Sequence, residues 1–309
     1  MQLFENSRAM RMLRADARAG RLSHAYLFLC PDARNLRRWL KELAAVLLGA
    51  DARAKRLIAE ECYSDCRIFP APGEKAGVAE VKAMLDDVYI KPVEGEKKAF
   101  VLDNVQDMLA PAQNKLLKVL EEPPENVYFL LGATGEYSVL TTVRSRTKRL
   151  ELLSFSEEET EAWLKEKFPA RTDAHEIAAL SGGILGKAEE LAEGDSLTQE
   201  AQEAARLLST LSPAGIPAAV RSCTDRQAAA RLLSLLRLTL HDALAYQLGI
   251  GKRVSAAQED TLRRVANRFG AAALVSAQEQ ITRAEKNLKF NANLPMCLEE
   301  LFAGILEGR

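Results

Sequence analysis

The segment Lys98-Ala-Phe-Val-Leu-Asp103 reads as an apolar strand that ends in a carboxylate, with Asn104 directly after it. An acidic side chain at the carboxyl end of a buried strand is where phosphate-transferring ATPases hold magnesium. That chemistry needs a second part upstream. Glycines must let backbone N–H groups close on phosphates, a lysine must neutralise β/γ charge, and a hydroxyl must hold the metal. The segment in that place, Leu29-Cys-Pro-Asp-Ala-Arg-Asn-Leu-Arg37, has no glycine and no lysine. These residues outline the body of an ATPase without its nucleotide grip. A second phosphate-competent group lies in Val143-Arg-Ser-Arg-Thr-Lys-Arg149. Arg146 there carries a permanently charged, planar fork suited to phosphate oxygens. Read on its own, this cluster is a solvated basic edge.

The elements that must position these groups follow from periodicity. Met10, Leu13 and Ala17 share one face of a helix over residues 5–20, with Arg11, Arg14 and Arg18 on another. Short apolar runs at 25–29, 66–69, 98–103, 127–131 and 148–152 read as buried strands. Helices are expected between them at 34–49, 78–89 and 109–121; Pro111 is tolerated in the first turn of the last, and Pro123-Pro124 ends it. Strands separated by helices of this length mean βαβ units and a parallel sheet, which binds ligands at the carboxyl ends of its strands. After Ser154 the character changes. Ser156 with Glu159 forms a capping box, short helices fill 156–195, and Ser181-Gly-Gly183 reads as a turn. From 199 onward the pattern gives helices near 199–211, 214–223, 225–249, 255–269, 271–288 and 295–307, an all-helical bundle.

Composition bounds the class. In 309 residues, 48% are apolar and 28% charged, as in ordinary globular proteins, and the net charge of −1 advertises no polyanionic partner. The charge is uneven: residues 1–58 carry ten Arg and two Lys against five acids, and residues 156–203 carry thirteen acids against four bases. Both read equally as solvated faces or as partner surfaces. No run is long and apolar enough for a transmembrane helix, and the N-terminus is not a signal peptide. Five scattered cysteines fit a reducing, cytoplasmic location. Cys62 and Cys66 lack the two further ligands that a structural zinc needs, so both read as free thiols and no metal site is expected.

In their order, Gly20-Arg-Leu-Ser-His-Ala-Tyr-Leu-Phe28, Lys91-Pro-Val-Glu-Gly95, Ala112–Pro124 and Ser145-Arg-Thr147 carry a resemblance. The chain resembles the delta-prime type of bacterial DNA polymerase III clamp-loader subunits, of the AAA+ superfamily, over nearly its whole length. The resemblance implies an AAA+ α/β domain with helices on both faces of a parallel sheet at 1–153, a small helical lid at 154–195 and a helical collar for oligomerisation at 196–309. It implies tau/gamma ATPase subunits and a delta subunit as partners in a five-membered ring. The sliding clamp would be met indirectly, and primed DNA through the assembled complex, with no membrane involved.

The same pattern lets departures be read residue by residue. Where ATP-binding members have GxxGxGKT, this chain places Cys30, Ala33 and Asn35 at the glycines, Leu36 at the lysine and Arg37 at the Ser/Thr. Asp103-Asn104 replaces Asp-Glu, and Asn104 cannot take a proton as a carboxylate would. Thr134 falls at a γ-phosphate sensor position and reads as a relic, and Gly186 stands where active relatives have a lid arginine. The family's Ser-Arg-Cys motif is Ser145-Arg146-Thr147 here, and the resemblance makes Arg146 an arginine finger that acts on a neighbour's γ-phosphate. The four-cysteine zinc module common in the family is missing. The expected role is that of a non-hydrolysing ring member with no intrinsic catalysis and no bound cofactor. The rivals are an active ATPase with an unorthodox phosphate loop and an AAA+-derived scaffold outside replication.

Other polar residues read as structural. His24 precedes a buried strand and is expected to hydrogen-bond rather than act as a base, and Asn114 is expected to order the local backbone. Leu288, Leu294, Leu298 and Leu301 are expected at oligomer contacts of the collar.

Overall fold

The computed structural model describes residues 2–72, 74, 76–137, 139–194, 197–249, 257–289 and 292–307. They fall into two compact units, Met1–Phe155 with Ile184–Lys187, and Ser156–Gly183 with Ala188–Arg309.

The first unit is built on five parallel strands: β1 (Ala25–Leu29), β2 (Cys66–Phe69), β3 (Lys98–Leu102), β4 (Val127–Ala133) and β5 (Lys148–Glu151). Their order across the sheet is β2-β3-β4-β1-β5. The helices of this unit are α1 (Gln2–Glu5), α2 (Arg8–Arg18), α3 (Ala33–Leu48), α4 (Ala52–Ala59), α5 (Val78–Val88), α6 (Ala110–Glu121) and α7 (Thr141–Arg144). Every residue of β1 and β3 is buried, as a sheet covered on both faces requires. The period-two alternation of β1 sorts them. Ala25, Leu27 and Leu29 join Val81 and Met84 of α5 and Leu116 and Leu120 of α6 in one apolar cluster. Phe28 faces the other way, edge-on to Phe4 at 6.1 Å, and Phe4 stacks on Trp39 of α3 at 5.1 Å. Gly132 lets α3 approach β4 closely: a Cβ there would lie 2.4 Å from Leu40 Cδ1.

The strands fall where the apolar runs place them, within a residue or two. Two helical expectations change. The 5–20 helix is interrupted because Ser7 acts as an N-cap, its Oγ accepting from Met10 N at 3.3 Å. The connection after α3 contains α4, opened by Asp51, whose carboxylate accepts from Ala54 N at 2.7 Å.

The second unit is helical: α8 (Glu157–Lys167), α9 (Ala174–Ser181), α10 (Leu185–Glu193), α11 (Leu197–Thr210), α12 (Ile216–Arg221), α13 (Arg226–Leu248), α14 (Glu259–Arg268), α15 (Ala271–Lys289) and α16 (Leu294–Glu307). The first turn of α10 clusters with the first unit. The expected capping box opens α8: Ser156 Oγ accepts from Glu159 N at 3.1 Å, and Glu159 accepts from Ser156 N at 2.9 Å. The expected helix 255–269 begins at Glu259, and residues 255 and 256 lie outside the described residues. One apolar cluster runs through the whole unit, from Leu164 and Ile177 to Leu233, Ile281 and Phe302.

The expectation that Leu298 and Leu301 lie at oligomer contacts needs correction here. Leu298 and Leu301 are buried in that cluster, and Leu288 and Leu294 are half-buried against it. Leu298 and Leu301 face the chain's own core because α15 and α16 pack as a pair, which leaves neither side chain available to another subunit.

Candidate functional site

β1 delivers the chain into the place where a phosphate loop would lie, with Cys30 N donating to Ala133 O at 2.9 Å. Cys30 is buried, and burial pushes its thiol up to about 12, which disfavours the thiolate. Asp32 then caps α3. Its carboxylate accepts from Asn35 N at 3.0 Å, from Asn35 Nδ2 at 3.0 Å and from Gly186 N at 2.6 Å. A helix N-terminus draws anions through its free N–H groups. In this chain a buried carboxylate already holds that position, so a phosphate would have to displace a negative charge. Leu36, in the place of the lysine, is fully buried and brings no charge to the loop. A Cβ on Gly186 would lie 2.2 Å from Asp32 Oδ1, so only glycine fits against the cap.

Arg37, expected from the sequence at the place of a hydroxyl, brings together three segments with its guanidinium. Nε and Nη2 donate to the two oxygens of Glu61 at 2.7 and 2.6 Å, and Nη1 donates to Pro70 O at 2.9 Å. Nη1 also lies 3.6 Å from Asp103 Oδ2. Lys41 supports Glu61 from 3.2 Å. Hydrogen bonding to Arg37 holds the Glu61 carboxyl below its usual range against the opposing pull of burial, with Lys41 adding to the effect. Asp103 behaves in the opposite way: burial raises its pKa and outweighs the nearby guanidinium. Its Oδ1 has no hydrogen-bond partner among the described residues. A fixed organic cation thus sits beside the strand-end carboxylate.

Asn104 and Thr134 are joined by a residue that sequence reasoning passed over. Asn104 adopts a left-handed conformation (φ 52°) and accepts from Gln106 Nε2 at 2.9 Å. Gln106 Oε1 in turn accepts from Thr134 N at 3.2 Å, strapping the ends of β3 and β4 together.

Arg146 lies between α7 and β5, some distance along the chain from this locked corner. Its Nη1 donates to Thr142 O at 2.9 Å and to Ser145 Oγ at 3.4 Å, while Nη2 pairs with Glu121 at the end of α6. The side chain is about a third exposed (32%). Thr147 turns its hydroxyl back onto Val143 O and Arg144 O at 3.3 and 3.1 Å, a local role that leaves the charge to Arg146. The rest of the basic cluster is ion-paired. Arg144 and Arg149 meet Glu136, and Lys148 meets Asp16 at 2.6 Å.

Gln113 fixes the approach to α7: it donates to Met108 O at 3.0 Å and accepts from Leu140 N at 2.9 Å. The backbone-ordering role expected of Asn114 therefore belongs to its buried neighbour, and Asn114 is exposed. The His24 ring bonds to Leu120 O at 2.9 Å, a structural contact as expected. Glu61, Asp32, Gln106 and Glu121 escaped sequence reasoning. Only Asp32 had a local signal, an acid one residue before a helix.

No helix among the described residues is long and apolar enough to cross a membrane. Residues 5–156 match the family described as DNA polymerase III, delta subunit, and residues 199–305 match the C-terminal part of the DNA polymerase III delta subunit. The chain is 32% identical over 142 residues to DNA polymerase III subunit gamma/tau of Mycobacterium bovis, covering 42% of this chain and 24% of that protein. It is 35% identical over 91 residues to DNA polymerase III subunit delta' of Buchnera aphidicola, covering 29% of this chain and 27% of that protein. The matched segments span about a quarter of the length of these curated relatives. Among solved structures, a gamma subunit-related protein of DNA polymerase III from Thermotoga maritima aligns over 96% of this chain and 99% of its own, with a TM-score of 0.43 and 18% identity.

Proposed function

The chain belongs to the DNA polymerase III delta subunit family, and from that premise we propose that it is a clamp-loader subunit of delta-prime type that does not hydrolyse ATP itself. One observation carries the non-hydrolysing part: the buried Asp32 carboxylate occupies the N-terminus of α3, where an ATPase would need free N–H groups. Leu36 supplies no cation for a phosphate, and Arg37 occupies the place of the metal. The subunit's part is then played outward. Arg146 serves as the arginine finger for ATP held by a tau/gamma neighbour, and its partial exposure and permanent charge support that reading. The helices of the second unit act as lid (154–195) and collar (196–309), and a delta subunit completes the ring that opens the sliding clamp for primed DNA.

The test has two arms. Titrated alone in a calorimeter, the chain gives no heat of ATP binding; a micromolar site would overturn the non-hydrolysing reading. In a ring reconstituted with tau/gamma and delta, Arg146→Ala leaves assembly intact and lowers DNA-stimulated hydrolysis. A finger is worth about 10³-fold or more at the site it serves, so that one site should fall silent. Hydrolysis equal to that of the unsubstituted ring removes the finger.

A further inference from the structure

We propose that Glu121 is a latch on Arg146, holding the guanidinium against its own subunit until a neighbour's triphosphate draws it away; this rests on the finger reading above. Nη1 and Nη2, the two nitrogens that would fork onto a phosphate, are both engaged within the chain, by Thr142 O and by Glu121. A triphosphate cannot take the fork without releasing Glu121, because both are anions and would compete for the same N–H groups. The pair is built to be released. Glu121 is half exposed and Arg146 about a third, and pairs exposed to this degree are weak and exchangeable. The Arg37–Glu61 pair, more enclosed and bidentate, is the contrasting lock.

The position of Glu121 makes the same case independently. It is the last residue of α6, before Glu122-Pro123-Pro124. A helix C-terminus carries partial negative charge and favours cations, so a carboxylate there opposes the helix. Helix stability does not explain Glu121, whereas its contact with Arg146 does. Glu121 is thus a positioning residue for the finger. It keeps the guanidinium close to α7 and sets a threshold of charge that an incoming anion must exceed.

The experiment compares Glu121→Gln, Glu121→Asp, Arg146→Ala and the double variant Glu121→Gln/Arg146→Ala in the reconstituted ring. Glu121→Gln should raise ATP hydrolysis in the absence of DNA about two- to fivefold, the range expected for freeing an exposed ion pair. Glu121→Asp, which keeps the charge, should stay within about twofold of the parent, and the double variant should match Arg146→Ala alone. In the full chain on its own, arginine side-chain NMR should show faster guanidinium exchange at Arg146 in Glu121→Gln, with the thermal midpoint unchanged. Hydrolysis unchanged or lowered in Glu121→Gln, with Arg146→Ala still impaired, overturns the latch and leaves the finger standing. Hydrolysis unaffected by Arg146→Ala removes both.

Discussion

Replacing Arg37 by methionine tests whether the corner formed by Arg37, Glu61 and Asp103 is a lock. Methionine keeps most of the apolar stem and removes only the guanidinium. What is lost is a bidentate pair with Glu61, a hydrogen bond to Pro70 O and the sole cation within 4 Å of Asp103 among the described residues. The side chains of Arg37, Glu61 and Asp103 are 19%, 23% and 9% exposed, so solvent screens the first two in part and the third hardly at all. Breaking a fully buried pair costs about 3–5 kcal/mol, and partial exposure puts this site near the low end, about 3 kcal/mol. For a domain of this size that corresponds to a fall in Tm of about 6–12 °C, read by thermal and urea unfolding of the full chain. Adding Asp103→Asn should restore about 1–2 kcal/mol, because the carboxylate left without a cation is then gone. The pH dependence has a definite sign. Glu61 titrates below its usual value in the folded chain, so its contribution is present above the ordinary glutamate range and is lost as pH falls through the folded value. Asp103 is raised, so the folded state holds its proton longer than the unfolded state and its charge opposes folding as pH climbs through that window. Without Arg37 the first contribution disappears and the second grows, so the deficit should be larger at pH 7 than at pH 4. A variant within about 0.5 kcal/mol of the parent, or a deficit independent of pH, would refute the lock.

Two further substitutions test neighbouring parts of the first unit. Gly186→Ala should cost about 1–3 kcal/mol in unfolding experiments despite alanine's better helix propensity, since its Cβ drives the Asp32 carboxylate off the cap; a neutral or stabilised variant would show that the cap is not pinned there. Asp65 is fully buried and accepts from the backbone N–H groups of Val93, Glu94 and Gly95 at 2.6, 2.8 and 2.8 Å. Asp65→Ala should destabilise by about 2–4 kcal/mol and speed hydrogen exchange at those three amides before others in the sheet, whereas uniform protection would mean that the loop is held by other contacts.

Much of the first unit was legible because its strands are short, continuous apolar runs bounded by polar residues, a pattern that burial on both faces produces. What escaped was what local pattern does not carry. Helix α4 buries only Ala54 and Ile58, too little for a periodic signal. Helix α7 has four residues, less than two turns. In the site, the absence of glycine, lysine and hydroxyl residues could be read directly from Cys30 to Arg37, but the partners of these residues could not. Glu61 meets Arg37 across 24 positions, and Gly186 meets Asp32 across 154. Such pairings are decided by the tertiary fold, and sequence periodicity is silent on them. Leu298 and Leu301 show the converse: their apolar type was plain, but whether such a residue faces its own core or another subunit depends on which helix packs beside it.

Arg37 and Arg146 are chemically identical, and their surroundings hold them to different degrees. Arg37 is held by both oxygens of one carboxylate, a backbone carbonyl and a second carboxylate, and hydrogen bonding to Glu61 foremost raises its pKa further. Moving it would leave the Asp103 carboxyl nearly enclosed with no cation within 4 Å among the described residues, so it stays. Arg146 has one carboxylate at a helix end that disfavours negative charge, with solvent on its open side. Releasing it strands no buried ion: Glu121 returns to water. The cost of moving a cation is set chiefly by what it leaves behind. By that measure Arg37 is the held cation of the first unit, and Arg146 is the one free to exchange its partner.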